Sequence, residues 1–285
     1  MSTESCTVET SDGIKLHTRF FKPEDPKSNL AIIIVHPYSI MGGCQALMRG
    51  IAAGLAEKGY RAITFDMRGA GRSKGRPSLT GSSEILDVIA VCRWAVENTG
   101  ADRILLVGSS AGAPIAGSAV DQVKEVVGYV SLGYPFGLTA SILFGRHHKA
   151  ILQSIKPKLF VMGTKDGFTS VKQLESKLKS AAGRVETQSN SPFKDKPNLS
   201  SKMQRELQLH SAEDNRMHCW SLRAGLDACN CSDCLPQENM FERTYNATQW
   251  MLPTVQVKEK RATVRTHGQM VTLINNFTEA FKLSR

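Results

Sequence analysis

Short apolar runs alternate with helical periodicities along the first two thirds of the chain. Residues 7–10 and 14–21 are β-rich stretches on either side of Ser11-Asp12-Gly13, a hairpin turn signal. Residues 30–35 form a continuous apolar run of the kind that is buried on both faces of a parallel sheet. Residues 45–58 have helical spacing and close on Gly59, a natural C-cap. The pattern then predicts a strand over 61–65, a helix over 85–96 and a strand over 103–107. Strands over 126–132 and 158–162, a helix over 171–181 and a strand over 184–187 follow. Strand and helix alternate throughout, which predicts an α/β fold built on a doubly wound, mostly parallel sheet.

From residue 188 to 266 this order stops. The stretch is rich in Ser, Asn, Gln and Lys and keeps neither period, so it reads as a long, low-order insertion. Periodicity returns with Met270-Val271-Thr272-Leu273-Ile274, and Phe277 and Phe281 extend the apolar face of a terminal helix. The division is therefore a core over 1–187, an insertion over 188–266 and a last helix within 267–285.

Composition narrows the class. A chain of 285 residues with 41% hydrophobic content can bury a large core. No segment reaches the roughly 20 consecutive apolar residues of a membrane span. Met1 to Cys6 has neither a basic flank nor an apolar stretch, which makes a cytoplasmic setting the default and leaves the N-x-S/T sites at Asn198, Asn246 and Asn276 without glycosylation machinery. The net charge of +10 is spread along the chain, and its only tight basic run, Arg68, Arg72, Lys74 and Arg76, lies in a Gly-rich loop without flanking aromatics. A solvated loop is expected there, with no nucleic-acid partner. Seven cysteines at irregular spacing do not make a disulfide framework. Cys231 and Cys234 have C-x-x-C spacing, but Cys219 and Cys229 do not complete a second knuckle beside His218. No metal and no organic cofactor is implied.

The chemistry concentrates at Gly108-Ser109-Ser110-Ala111-Gly112, between an apolar run and a small-residue segment. In a G-x-S-x-G elbow the backbone bends sharply from strand to helix and lifts the central serine into a pocket, which makes Ser110 the candidate nucleophile. A serine hydroxyl also needs a base, an acid that orients the base, and N–H donors for the developing oxyanion. Ala111 offers one such N–H at the start of a helix, where the dipole favours negative charge. A second donor is expected from His36-Pro37-Tyr38-Ser39-Ile40-Met41-Gly42-Gly43, which follows the 30–35 run. Pro37 has no N–H, so Tyr38 is the candidate. Asp166, in Gly163-Thr164-Lys165-Asp166-Gly167-Phe168, is the candidate acid; an Asp-Gly pair is also an ordinary turn. Asp66 and Arg68 are expected to brace their own loop. His147 and His148 fall in the 25-residue connection between Leu132 and Lys158, too short for a cap domain, and are expected to play a polar loop role beside a shallow, open pocket.

Taken in order, HPYSIMGG, FDMRGAGRS, GSSAG, GYPFG and GTKDGF resemble the α/β-hydrolase superfamily, and specifically small plant-type members with a serine aminopeptidase-like or dienelactone hydrolase-like core. HGQMVTLINNF resembles the last helix of the same family. The resemblance implies an α/β-hydrolase fold, Ser110 as nucleophile, Asp166 as acid, and a catalytic histidine on a loop before the last helix. The chain departs from the family there, because its 188–266 stretch contains no Gly-x-x-His-Phe. His210, His218 and His267 are the downstream histidines. His267 is the candidate base because it adjoins the terminal helix, although its context suits a surface histidine better. The expected activity is hydrolysis of a small-molecule ester or amide through an acyl-enzyme at Ser110. The alternative is a catalytically impaired or binding-only chain whose histidine-bearing segment is replaced.

Overall fold

The computed structural model describes residues 1–163, 166, 169–190, 259–281 and 283. Eight strands form one sheet: β1 (Ser2–Glu9), β2 (Lys15–Lys22), β3 (Leu30–Val35), β4 (Arg61–Phe65), β5 (Arg103–Ser109), β6 (Val126–Leu132), β7 (Lys158–Gly163) and β8 (Val185–Asn190). Their spatial order is β1-β2-β4-β3-β5-β6-β7-β8. Strand β2 runs antiparallel to both neighbours, and β3 to β8 are parallel.

The helices are α1 (Arg49–Glu57), α2 (Glu84–Thr99), α3 (Gly112–Ala119), α4 (Leu138–Gln153), α5 (Val171–Leu178) and α6 (Glu259–Ala280). They cover the sheet on both sides. On one face Ala31, Ile33, Val35, Ile104 and Leu106 pack with residues of α2, α3, α4 and α5. On the other, Leu30, Ile32, Ile34, Leu105 and Val107 pack with Ile51, Ala52 and Leu55 of α1 and Met270, Val271, Ile274 and Phe277 of α6. Every residue of β3 is buried, as two-sided cover requires.

This topology decides where a site can form. Strand β3 sends its chain through α1 to β4 on one side, while β5, on its other side, leads into α3 on the opposite face. The order reverses between β3 and β5, so the loops leaving their carboxyl ends diverge and open a crevice.

Several boundaries differ from the periodicity. Strand β1 begins at Ser2, five residues before the expected stretch, because its polar half needs only the β2 ladder and stays exposed. The helix expected over 45–58 divides into a 3-10 turn over Gln45–Met48 and α1. Helix α5 stops at Leu178, after a capping box in which Ser170 and Gln173 exchange hydrogen bonds. Strand β8 runs on to Asn190 and α6 starts at Glu259, so both reach into the range assigned to an insertion. The low-order reading of 191–258 lies outside the described residues, with His210, His218, Cys219, Cys229, Cys231 and Cys234.

The largest difference is α4, where a loop was expected. Phe144, His147, His148 and Ile151 are buried at i, i+3, i+4 and i+7, while Ile142 is 81% exposed. Two inward positions are histidines and one outward position is isoleucine, which hides the helical stripe from hydrophobicity alone.

Candidate active site

Ser110 sits between β5 and α3 with φ +48°, the only positive φ of a non-glycine residue among those described. Such a backbone costs of order 1–3 kcal/mol and persists only where its surroundings impose it. They do so here. The Ser110 N–H donates to Leu132 O of β6 at 2.8 Å, and Ser110 O accepts from Ala113 N–H at 2.9 Å. A Cβ on Gly108 would lie 2.5 Å from Ala113 Cα, and one on Gly112 would lie 2.0 Å from His36 O. The flanking glycines thus let the strand approach its helix, and the elbow approach the loop after β3. The three atoms that a Cβ on Gly112 would meet are all backbone, so Gly112→Ala is expected to push α3 away from that loop. A loss of about 1–3 kcal/mol is expected in denaturant unfolding.

The loop after β3 is fixed from several sides. His36 is fully buried; its Nε2 accepts the Met67 N–H at 2.9 Å, so Nδ1 carries the proton and donates to Pro37 O at 2.6 Å. Gly43 N–H donates to Tyr38 O at 3.3 Å, and a Cβ on Gly43 would overlap Pro37 O. Neither the Tyr38 nor the Ala111 backbone N–H has an acceptor among the described residues. Both belong to the paired crevice loops, one on each side of the point where Gly112 meets His36.

Asp166 follows β7. Its N–H donates to Gly163 O at 3.1 Å and its Oδ1 accepts from Thr169 N–H at 3.0 Å. Its Oδ2 is 3.8 Å from where a Gly133 Cβ would stand. Since Ser110 bonds to Leu132, the structure brings Ser110 and Asp166 to the same two-residue end of β6. Thr169 completes the arrangement, a role the sequence did not signal. Its fully buried hydroxyl accepts from Phe136 N–H at 2.7 Å and donates to Tyr134 O at 3.1 Å, tying the Asp166 loop to the segment after β6.

The described histidines are engaged elsewhere. His147 Nε2 donates to Thr80 O at 2.7 Å, which leaves Nδ1 to accept from the Ser118 hydroxyl at 2.7 Å. His148 Nδ1 lies 3.1 Å from the Tyr134 hydroxyl and its ring packs against Tyr134 and Phe136. Both are buried helix residues that hold α4 down, which replaces the loop role expected for them. His17 Nδ1 faces Asp66 and Gln45. His267 lies within α6, half-buried, with its ring packed over Gly50 of α1, where a Cβ would come 2.2 Å from Nδ1. Burial holds its pKa below the ordinary histidine value, so the neutral imidazole dominates at pH 7.

Asp66 and Arg68 brace their loop, as expected. Burial opposes ionisation of Asp66, but hydrogen bonds from His17 and Gln45 act against it, and its pKa stays below the usual carboxylate value. Arg68, 5% exposed, contacts Asp87 through its backbone N–H, Nε and Nη2 at 2.8–2.9 Å and Asp12 through Nη1 at 2.8 Å. Arg72, Lys74 and Arg76 are exposed.

The buried histidines give the fold a pH dependence. Burial lowers the pKa of His36, His147 and His148, the last to about 4. In the window from about 6.5 down to 4 the unfolded chain binds a proton at His148 that the folded chain does not, so stability falls as pH falls. The thermal midpoint is expected to drop from pH 7 to pH 5, and less steeply in His148→Phe.

Among the described residues no group of side chains could hold a metal ion, and no helix is long and apolar enough to cross a membrane. A family model described as the alpha/beta hydrolase fold matches residues 40–143. A solved alpha-beta serine hydrolase homologue from Coxiella burnetii is 27% identical, with TM-score 0.57 over 66% of this chain and 87% of that one. The chain has the α/β-hydrolase fold and is similar to members of that superfamily. An esterase from Pyrococcus furiosus shares the hydrolase fold at 23% identity and TM-score 0.55, over 66% of this chain and 81% of that one. An uncharacterized 31.7 kDa protein in the traX-finO intergenic region of Escherichia coli is 36% identical over 124 residues, which are 42% of this chain and 42% of that protein.

Proposed function

We propose that this hydrolase-fold chain is a serine hydrolase that cleaves a small-molecule ester or amide through an acyl-enzyme at Ser110. The observation that carries the reading is the strained elbow: the one described non-glycine residue at positive φ is the serine of G-x-S-x-G. Ser110 Oγ attacks the substrate carbonyl, and the tetrahedral oxyanion takes hydrogen bonds from the Ala111 and Tyr38 N–H groups. Asp166 orients and stabilises the base, His267, which takes the serine proton and returns it to the leaving group; water then releases the acyl group. The solved serine hydrolase homologue from Coxiella burnetii supports this class of chemistry.

A second reading is favoured by one observation. His267 is part of a helix and packs on α1, whereas Asp166 is tied to the segment after β6. On that reading the chain is catalytically impaired and keeps the elbow without an efficient base. Labelling by a fluorophosphonate probe, with Ser110→Ala as control, tests the nucleophile. Ester turnover by histidine variants separates the two readings.

A further inference from the structure

The oxyanion role assigned to Tyr38 uses only its backbone, yet its side chain is built into the molecule with unusual completeness. The residue is 1% exposed. Its ring meets Phe144 of α4 edge-on, with centroids 5.7 Å apart and planes at 80°. Its hydroxyl oxygen accepts the Gly81 N–H at 3.2 Å. Burial, with the charge of Glu84 adding to it, pushes the hydroxyl pKa up to about 12, so the group stays neutral.

The loop that Tyr38 reaches is itself held at both ends. Glu84, fully buried at the start of α2, accepts the Ser78 N–H at 2.7 Å and the Ser78 hydroxyl. One residue from Gly81, Thr80 O accepts from His147 Nε2, and the His147 ring is anchored on α3 through Ser118. Phe144 and His147 are neighbouring positions on the buried face of α4, so a closed path runs from Tyr38 through Gly81 and Thr80 to His147, along α4 to Phe144, and back to the Tyr38 ring. A ring fixed at its edge and its tip leaves the Cα–Cβ direction little freedom. That direction sets the orientation of the adjoining peptide, whose N–H is the candidate donor.

We propose that the Tyr38 side chain is a positioning residue that aims the Tyr38 N–H at the oxyanion, and that His147 and Phe144 make α4 part of the same lock. The inference rests on the serine-hydrolase reading of Ser110. It assigns α4 a catalytic consequence, and it explains why the inward position His147 carries buried polar hydrogen bonds where leucine would pack more simply.

The test measures, in the full chain, the rate of Ser110 phosphonylation by a fluorophosphonate probe and kcat and KM for a short-chain aryl ester. Tyr38→Phe leaves Gly81 N–H without its acceptor and is expected to slow phosphonylation and lower kcat about tenfold with KM unchanged. His147→Phe is expected to do the same, and the double variant to cost no more than the worse single one. His147→Gln, which can still donate to Thr80 O, should recover most of the rate. Arg61→Met serves as a stability control, because its side chain donates to Thr99 O and Ser28 O at the amino ends of the strands, away from the crevice; it should lower the thermal midpoint and leave the rates alone. Tyr38→Phe rates within twofold of the parent, or a Tyr38→Phe that differs only in thermal midpoint, would overturn the lock and leave the serine-hydrolase reading intact. A parent chain that does not label at Ser110 would overturn both.

Discussion

Ser110→Ala is expected to abolish fluorophosphonate labelling and to reduce any ester turnover by about 10⁶-fold, the scale on which a serine hydrolase depends on its nucleophile. The expectation is specific to one hydroxyl among many. The preceding serine, Ser109, is fully buried as the last residue of β5, where its hydroxyl has no hydrogen-bond partner among the described residues. Among the described non-glycine residues Ser110 alone has a left-handed backbone, and unlike Ser109 it is partly exposed. The strain is maintained by Leu132 O, Ala113 N–H and the close fit of Gly108 and Gly112, so the alanine variant should keep the elbow and lose only the nucleophile. An unchanged circular dichroism spectrum with loss of label is the expected pair of results. Equal labelling of Ser110→Ala would place the reactive serine elsewhere and end this assignment.

The parallel strands were legible because burial on both faces requires continuous apolar runs, and 30–35, 104–107 and 126–130 have them. The elbow was legible because its glycines are sterically compulsory: a methyl group at Gly108 or Gly112 has nowhere to go. Helix α4 was not, because its inward stripe uses His147 and His148, and a histidine with both ring nitrogens satisfied packs as an apolar residue does while counting as polar in any sequence pattern. Thr169 was equally silent. Its importance lies in hydrogen bonds to Tyr134, Phe136 and Gly137, more than 30 residues away in sequence. Asp166 is a candidate by its place after a strand, but what brings it to the same end of β6 as Ser110 is a property of strand order. The Tyr38 lock belongs to the same class, since sequence spacing cannot reveal that Gly81, Phe144 and Tyr38 meet.

The base decides how active the chain is. Of the histidines downstream of Asp166, His210 and His218 lie outside the described residues, and His267 is carried by α6 with its ring over Gly50. Burial keeps His267 neutral at pH 7, the form that accepts a proton from serine. Against it stands its setting: α1 occupies the face of the sheet opposite α3, and a helix residue cannot swing as a loop residue can. A long segment could still deliver His210 or His218, because the entropy of closing a loop grows only slowly with its length. The expected result is weak turnover of a short-chain aryl ester, abolished in His267→Ala and unaffected in His218→Ala and His210→Ala. Turnover indistinguishable from the Ser110→Ala background would establish the impaired reading, with the elbow retained as a binding site. Robust turnover lost in His218→Ala or His210→Ala would move the base into the segment between β8 and α6, and robust turnover surviving all three would overturn the Ser–His–Asp mechanism itself.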